Sequence, residues 1–122
     1  MAQEISFSMT LTAANLRVRK LISLGSMLID QADAIYVDRV VTLTTDAEEL
    51  DLGDVATSGV SFLANLDEDN DIEVGAIAPD TSFVPVIRIK PGEAWPVRLG
   101  TDTPNARTTA GTAKLAYLVL ND

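Results

Sequence analysis

The side chains with the most obvious chemical potential are acidic. Asp67-Glu68-Asp69-Asn70-Asp71-Ile72-Glu73 places five carboxylates within one short stretch. Hard cations such as calcium take about six to eight oxygen ligands, so an Asp-x-Asp-x-Asp run is a natural place to test for one. An EF-hand loop beginning at Asp67 needs Gly at its sixth position and Glu at its twelfth. The chain has Ile72 and Ala78 there, so that pattern fails. The stretch reads instead as the polar tip of a hairpin between Phe62–Leu66 and Ile72–Val74, because Asp and Asn favour turn geometry. A looser calcium site is the alternative reading; no metal ligand is assigned.

Paired carboxylates also do acid–base work, as in glycoside hydrolases. That requires burial or charge to push two pKa values apart, which exposed turns do not provide. Glu48, Glu49 and Asp51 share this weakness with the 67–73 run, and no catalytic residue is assigned. Pro91-Gly92-Glu93 lacks the glycine spacing and the lysine–hydroxyl pair of a phosphate loop, and a type I or II turn accounts for it. Trp95, the single tryptophan, offers either a stacking platform for a sugar or, more commonly for a lone strand Trp, a partner contact or core position. No cofactor is implied.

What the chain lacks narrows the field further. It has no histidine and no cysteine among its 122 residues. That excludes a Ser-His-Asp triad, a thiolate nucleophile, an imidazole proton shuttle and cysteine-based metal sites. The expectation is a protein that is not an enzyme. The start Met-Ala-Gln-Glu-Ile shows no basic region followed by a long apolar run, and Leu115–Leu120 is far short of the roughly 20 residues that span a bilayer. The sequence therefore reads as soluble, without a secretory signal and without a membrane partner.

The formal charge of −9 is unevenly placed. Between positions 30 and 80, ten Asp and four Glu face Arg39 alone, a net −13, while the stretches on either side each carry +2. Such a surface repels phosphate backbones, so a nucleic-acid partner is not expected. The acidic middle reads as a solvated face, with a docking surface for a basic partner as the alternative.

The elements that would hold these residues are strands. With 47% hydrophobic and 22% charged residues, the composition is that of a globular domain, and the dominant hydrophobic period is two. Ile5, Phe7, Met9 and Leu11 alternate with Ser6, Ser8, Thr10 and Thr12. Leu16–Arg19 continues the pattern after a break at Asn15. Further strand candidates are 35–37, 41–44, the alternating set Val60, Phe62, Ala64 and Leu66, then 72–74, 83–89, 95–99 and 114–120. Turn residues recur between them: Gly53-Asp54, Ser58-Gly59, Asp69-Asn70, Pro79-Asp80, Pro91-Gly92 and Pro104-Asn105. The one helical candidate covers Gly25 to Ala34. Pro85 and Pro96 fall inside strand candidates, which places those strands at sheet edges or at bulges. The expected fold is all-β, an antiparallel sandwich of jelly-roll type formed as one domain over 1–122, with 1–30 as an arm or edge strand making oligomer or shell contacts.

The second half has a distinctive cadence. It runs through Gly53-Asp54-Val55-Ala56-Thr57-Ser58-Gly59, then Asn65-Leu66-Asp67 with Asn70 and Glu73-Val74-Gly75. It continues with Phe83-Val84-Pro85, Ile89-Lys90-Pro91-Gly92-Glu93, and Lys114-Leu115-Ala116-Tyr117-Leu118-Val119. Over roughly 50–122 this resembles small all-β structural proteins of tailed bacteriophages, of the head decoration (cement) type. The resemblance implies a β-sandwich, a homo-oligomer that is a trimer, a location on the capsid exterior after synthesis in the host cytoplasm, and attachment to the major capsid protein. Tail, head-fibre or adaptor components of a virion are the alternatives within the same class. A carbohydrate-binding jelly roll, motivated by Trp95, Tyr36, Tyr117 and the 67–73 turn, is the alternative outside it. As partner-contact residues the sequence offers Phe7, Arg17 and Arg19 near the N-terminus and Trp95 and Arg98 on a later strand, since Trp and Arg are enriched at interface hot spots.

Overall fold

The computed structural model describes residues 5–14, 19–29 and 35–122, with side chains described for residues 6, 8–10 and 35–122. They belong to two compact units, Met1–Ala32 and Asp33–Asp122. In the first, β1 (Ile5–Ala14) and β2 (Arg19–Ile29) pair antiparallel as a two-stranded sheet. The alternation of Ile5 to Leu11 thus forms the strand expected of it. The helix expected over 25–34 is not formed: 25–29 complete β2, and 30–34 lie outside the described residues. Met27, Leu28 and Ile29 are consecutive, so they cannot share one helical face, whereas in β2 they pair in ladder with β1. Phe7 faces Met27 and Met9 faces Leu24, which leaves Gly25-Ser26 as a bulge opposite Ser8. Of Leu16–Arg19, only Arg19 is described, at the start of β2.

The second unit is a sandwich of eight strands: β3 (Tyr36–Leu43), β4 (Glu48–Glu49), β5 (Ser58–Asn65), β6 (Ile72–Ile77), β7 (Phe83–Ile89), β8 (Ala94–Arg98), β9 (Asn105–Thr108) and β10 (Ala113–Asn121). One sheet has the order β3-β10-β5-β8 and the other β4-β9-β6-β7. Every pairing is antiparallel. The strands therefore pair first with last, inward to the β6–β7 hairpin, as one long hairpin rolled across two sheets. β10 then docks on β5, and β9 on β6. This is jelly-roll wiring.

The two sheets meet through one face each. Val37, Leu63, Leu115 and Val119 point inward from the first sheet, and Ile72, Val74, Ile89 and Ala106 from the second; all are buried. Leu50, Leu52 and Val55, from the β4–β5 connection, close one end of this layer. Pro85 and Pro96 lie where their missing N–H groups do least harm. β7 and β8 are edge strands, and Pro85 also adjoins a bulge, because Val74 faces Ile87 while Gly75 faces Pro85.

Two sequence-based expectations are corrected in the sandwich. The 66–71 stretch is not a hairpin tip: β5 and β6 belong to different sheets, and the stretch carries the chain across between them. Asp67 does build a local turn through the Asp69 and Asn70 N–H groups, but a strand's pairing partner is a tertiary property. The alternation of Val60, Phe62, Ala64 and Leu66 does mark β5, yet this series points away from the core. The inward series is Ser61, Leu63 and Asn65, all buried, while Phe62 is 45% and Leu66 54% exposed.

Candidate functional site

The first sheet has an apolar outer side. Cross-strand partners share a face, so the register fixes its rows. Asp38, Leu118, Phe62 and Pro96 form the central row across β3, β10, β5 and β8. Val40, Ala116, Ala64 and Ala94 form the row on one side of it. On the other side, Tyr36 faces Leu120 and Val60 faces Arg98. Tyr36 and Val40 are each 61% exposed. The sequence hides this face because β10 is apolar on both sides: Leu115, Tyr117 and Val119 point in, and Ala116, Leu118 and Leu120 point out. A strand with two apolar faces was the available signal.

Charge is distributed to match. In a chain of charge −9, the strands of this sheet carry one acid, Asp38, against Arg39, Arg98 and Lys114. The remaining described acids of the 30–80 stretch lie on the other sheet or in connections. Exposed antiparallel faces are normally polar, and contiguous exposed apolar surface marks sites of association.

Four carboxylates of the acidic stretches, Asp51, Asp67, Asp71 and Glu73, are engaged in local structure. Asp67 Oδ2 accepts hydrogen bonds from the Asp69 and Asn70 backbone N–H groups, at 3.0 and 2.7 Å. Asp71 lies 3.8 Å from Arg88. Asp51 accepts from Gly53 N–H at 2.8 Å and pairs with Arg39 at 3.0 Å. Glu48 and Glu49 are neighbours on a strand and so leave on opposite faces. Among the described residues no three metal-ligating side chains are grouped to hold an ion. Glu73, on the outer side of the second sheet, is buried between two arginines: Arg107 Nε at 3.0 Å and Arg88 Nη2 at 3.2 Å. Arg107 also stacks on the Phe83 ring, 4.7 Å from its centre. Burial pushes the Glu73 carboxyl pKa up, but the hydrogen bonds from Arg88 and Arg107 and their charges outweigh it, and the net shift is downward.

Of the five residues chosen from sequence, the side chains of Trp95 and Arg98 are described. Trp95 and Arg98 both lie on β8, but Trp95 shares the inner face with Leu63 while Arg98 shares the outer face with Val60. Trp95 remains 44% exposed at the sandwich edge, its Nε1 3.4 Å from Glu93 Oε1. Arg98 Nη1 donates to Asp122 Oδ1 at 2.9 Å. Phe7 faces Met27, and Arg19 faces Ala14, in the first unit; their side chains, and Arg17 altogether, lie outside the described residues. The Pro91-Gly92 segment is a type II turn: Glu93 N–H donates to Lys90 C=O at 3.0 Å, and Gly92 takes φ 77° at the position that requires it.

The chain matches no protein-family model, no curated protein and no solved structure. Its geometry must therefore speak for its function. Besides the outer face, one concave feature stands out. Where edge strands β7 and β8 diverge, Val74, Ile87, Val97, Leu99 and Pro104 line an open apolar groove of about 330 Å³. Its mouth carries few polar groups, and the described acids are not among its lining residues.

Proposed function

We propose that the chain is a structural protein of a virion, a capsid decoration protein that binds the major capsid shell as a homo-oligomer and stabilises it from outside. The observation that carries this reading is the apolar outer face of the β3-β10-β5-β8 sheet, nearly free of acids in a strongly acidic chain. Tyr36 and Phe62 on that face are of the aromatic type enriched at interfaces, and with Val40 they leave apolar surface exposed for association. The jelly-roll wiring and the cadence of 50–122 agree with the phage class. A protein that binds an assembled shell and not its separated subunits shifts the assembly equilibrium by mass action, and many weak copies add up. The acidic connections around 46–54 and 67–71 keep the free protein soluble meanwhile.

The test is co-sedimentation of the full chain with expanded and unexpanded shells of a tailed phage. Saturable binding to expanded shells, with a higher temperature of shell disassembly, is expected. A strictly monomeric chain that ignores both shells overturns the reading. Half-exposed Trp95 favours one second reading, a carbohydrate-binding module; sugar-dependent quenching of its fluorescence across a glycan panel, with and without calcium, would support that instead.

A further inference from the structure

The outer face has a charge pattern that specifies its own cover. Its acid, Asp38, lies on edge strand β3, and Arg98 lies on the opposite edge strand β8, one row away along the strands. Apolar β10 and β5 run between them. No ion pair among the described residues uses Asp38. Arg98 bonds Asp122 through Nη1 and keeps further guanidinium N–H groups for another acceptor.

We propose that this face is covered by a second copy of the chain, stacked face to face about a two-fold axis parallel to the strands, with Asp38 of each copy set against Arg98 of the other. Such an axis lays β3 over β8 and β10 over β5, so acid meets base on both flanks and the apolar centre closes on itself. The two charges are offset by one row, about 7 Å at the strand rise per residue, which an arginine side chain spans. Sheets stacked face to face sit about 10 Å apart, the spacing that Tyr36, Val40 and Phe62 would fill. An axis perpendicular to the strands would lay β3 over β3 and bring the two Asp38 side chains to the same flank. Joining edge to edge would leave the apolar centre bare. An isologous contact needs this kind of self-complementarity. The low charge of this face, where Asp38 stands against Lys114 and an Arg98 already paired with Asp122, lets two copies of a −9 chain approach here and not through their acidic connections.

The inference rests on the reading of the face as an association surface, and it selects an even copy number where the phage resemblance implies three. The experiment is sedimentation equilibrium of the full chain over a concentration series. A mass of twice 13.0 kDa, or an even multiple, is expected. Asp38→Arg and Arg98→Glu should each weaken self-association about tenfold, and the double variant D38R/R98E should regain most of the loss. Arg98→Glu also removes the Asp122 pair, but both partners are about half exposed and that pair contributes little to folding. Phe62→Glu should give a folded monomer by circular dichroism.

A mass of one or three copies overturns the proposal, as does a double variant no better than the singles. A face covered from within the same chain would show as a one-copy mass with a concentration-independent loss of stability in Phe62→Glu, which also overturns it. Shell binding by a one- or three-copy chain would overturn the pairing and leave the shell reading standing. An even-copy chain that ignores shells would do the reverse.

Discussion

The side-chain amide of Asn65 donates to the Ile89 carbonyl oxygen at 2.9 Å, tying the end of β5 in one sheet to the end of β7 in the other. The same amide donates to the Asn70 carbonyl at 2.9 Å, and Asn65 Oδ1 accepts from Asp67 N–H at 2.9 Å. Its backbone pairs with Gly92 and Glu93 of the β7–β8 turn. One buried side chain thus organises the acidic crossover, and that turn docks on its backbone.

Asn65→Ala leaves the buried Ile89 carbonyl and the part-buried Asn70 carbonyl and Asp67 N–H without these partners. Each unmade bond of this kind costs about 1–3 kcal/mol, partly recovered where water can enter. A loss of about 3 kcal/mol in urea unfolding is expected, with amide exchange accelerated through 66–71. Unchanged exchange in that segment would show that the crossover holds without Asn65.

Glu73 is expected to contribute to the acid sensitivity of the fold. Its pKa in the folded protein is below its ordinary value of 4.5. A lowered carboxylate contributes stability that is present above the unfolded pKa and is lost as the pH falls through the folded one. Glu73→Gln is expected to cost about 1–2 kcal/mol at neutral pH, since its arginine partners are partly exposed. The gap between wild type and variant should be flat above about pH 5 and close progressively below 4.5. Melting temperatures of both proteins between pH 2 and 7 check this; a gap that persists at the acid end would refute it.

Tyr117 is expected to contribute the corresponding alkaline sensitivity. Its hydroxyl donates to the Asp51 carbonyl at 2.7 Å, and only 2% of the residue is exposed. Burial raises the phenol above 10.0, the negative charges of Asp51 and Glu48 add to this, and Arg39 opposes it. A raised pKa means stability that is complete below the unfolded value and lost as the pH rises above 10 towards the folded one. Tyr117→Phe should cost about 1 kcal/mol at neutral pH by orphaning the Asp51 carbonyl, and the variant should lose less stability than wild type between pH 9 and 11. Parallel alkaline unfolding curves would assign that sensitivity to another group.

Local chemistry was legible in the sequence to the extent that it is local. Alternation marked β1 and β5, and an apolar run marked β10; Pro85 and Pro96 marked edges or bulges, and both strands are edges; Pro91-Gly92 marked a type I or II turn, and it is type II. The direction of a strand's apolar series was not legible. In β5, Val60, Phe62 and Ala64 look like core, but the neighbour β10 is apolar on both faces and the opposite sheet chooses the side with Leu63 and Asn65. The same limit hid the candidate interaction face, whose rows exist only once β3, β10, β5 and β8 are in register. Trp95 and Arg98 illustrate it from the other side: three residues apart on one strand, they leave on opposite faces, so two plausible contact residues do not make one contact surface.

Gly75 tests how closely the second sheet is built. It lies beside the β6–β7 bulge, where a Cβ would overlap the Val84 carbonyl oxygen and sit 2.9 Å from that carbonyl carbon and 3.0 Å from Pro85 Cα. These are backbone atoms, so no side chain can swing away to make room. Gly75→Ala should therefore separate β7 from β6 and cost about 3 kcal/mol, whereas Gly92→Ala, with open space around it but φ 77°, should cost about 1 kcal/mol through backbone strain alone. Urea midpoints of the two variants rank these effects. Equal losses would mean that β7 shifts freely against β6, and the apolar groove at the β7–β8 edge would then be expected to change shape with it.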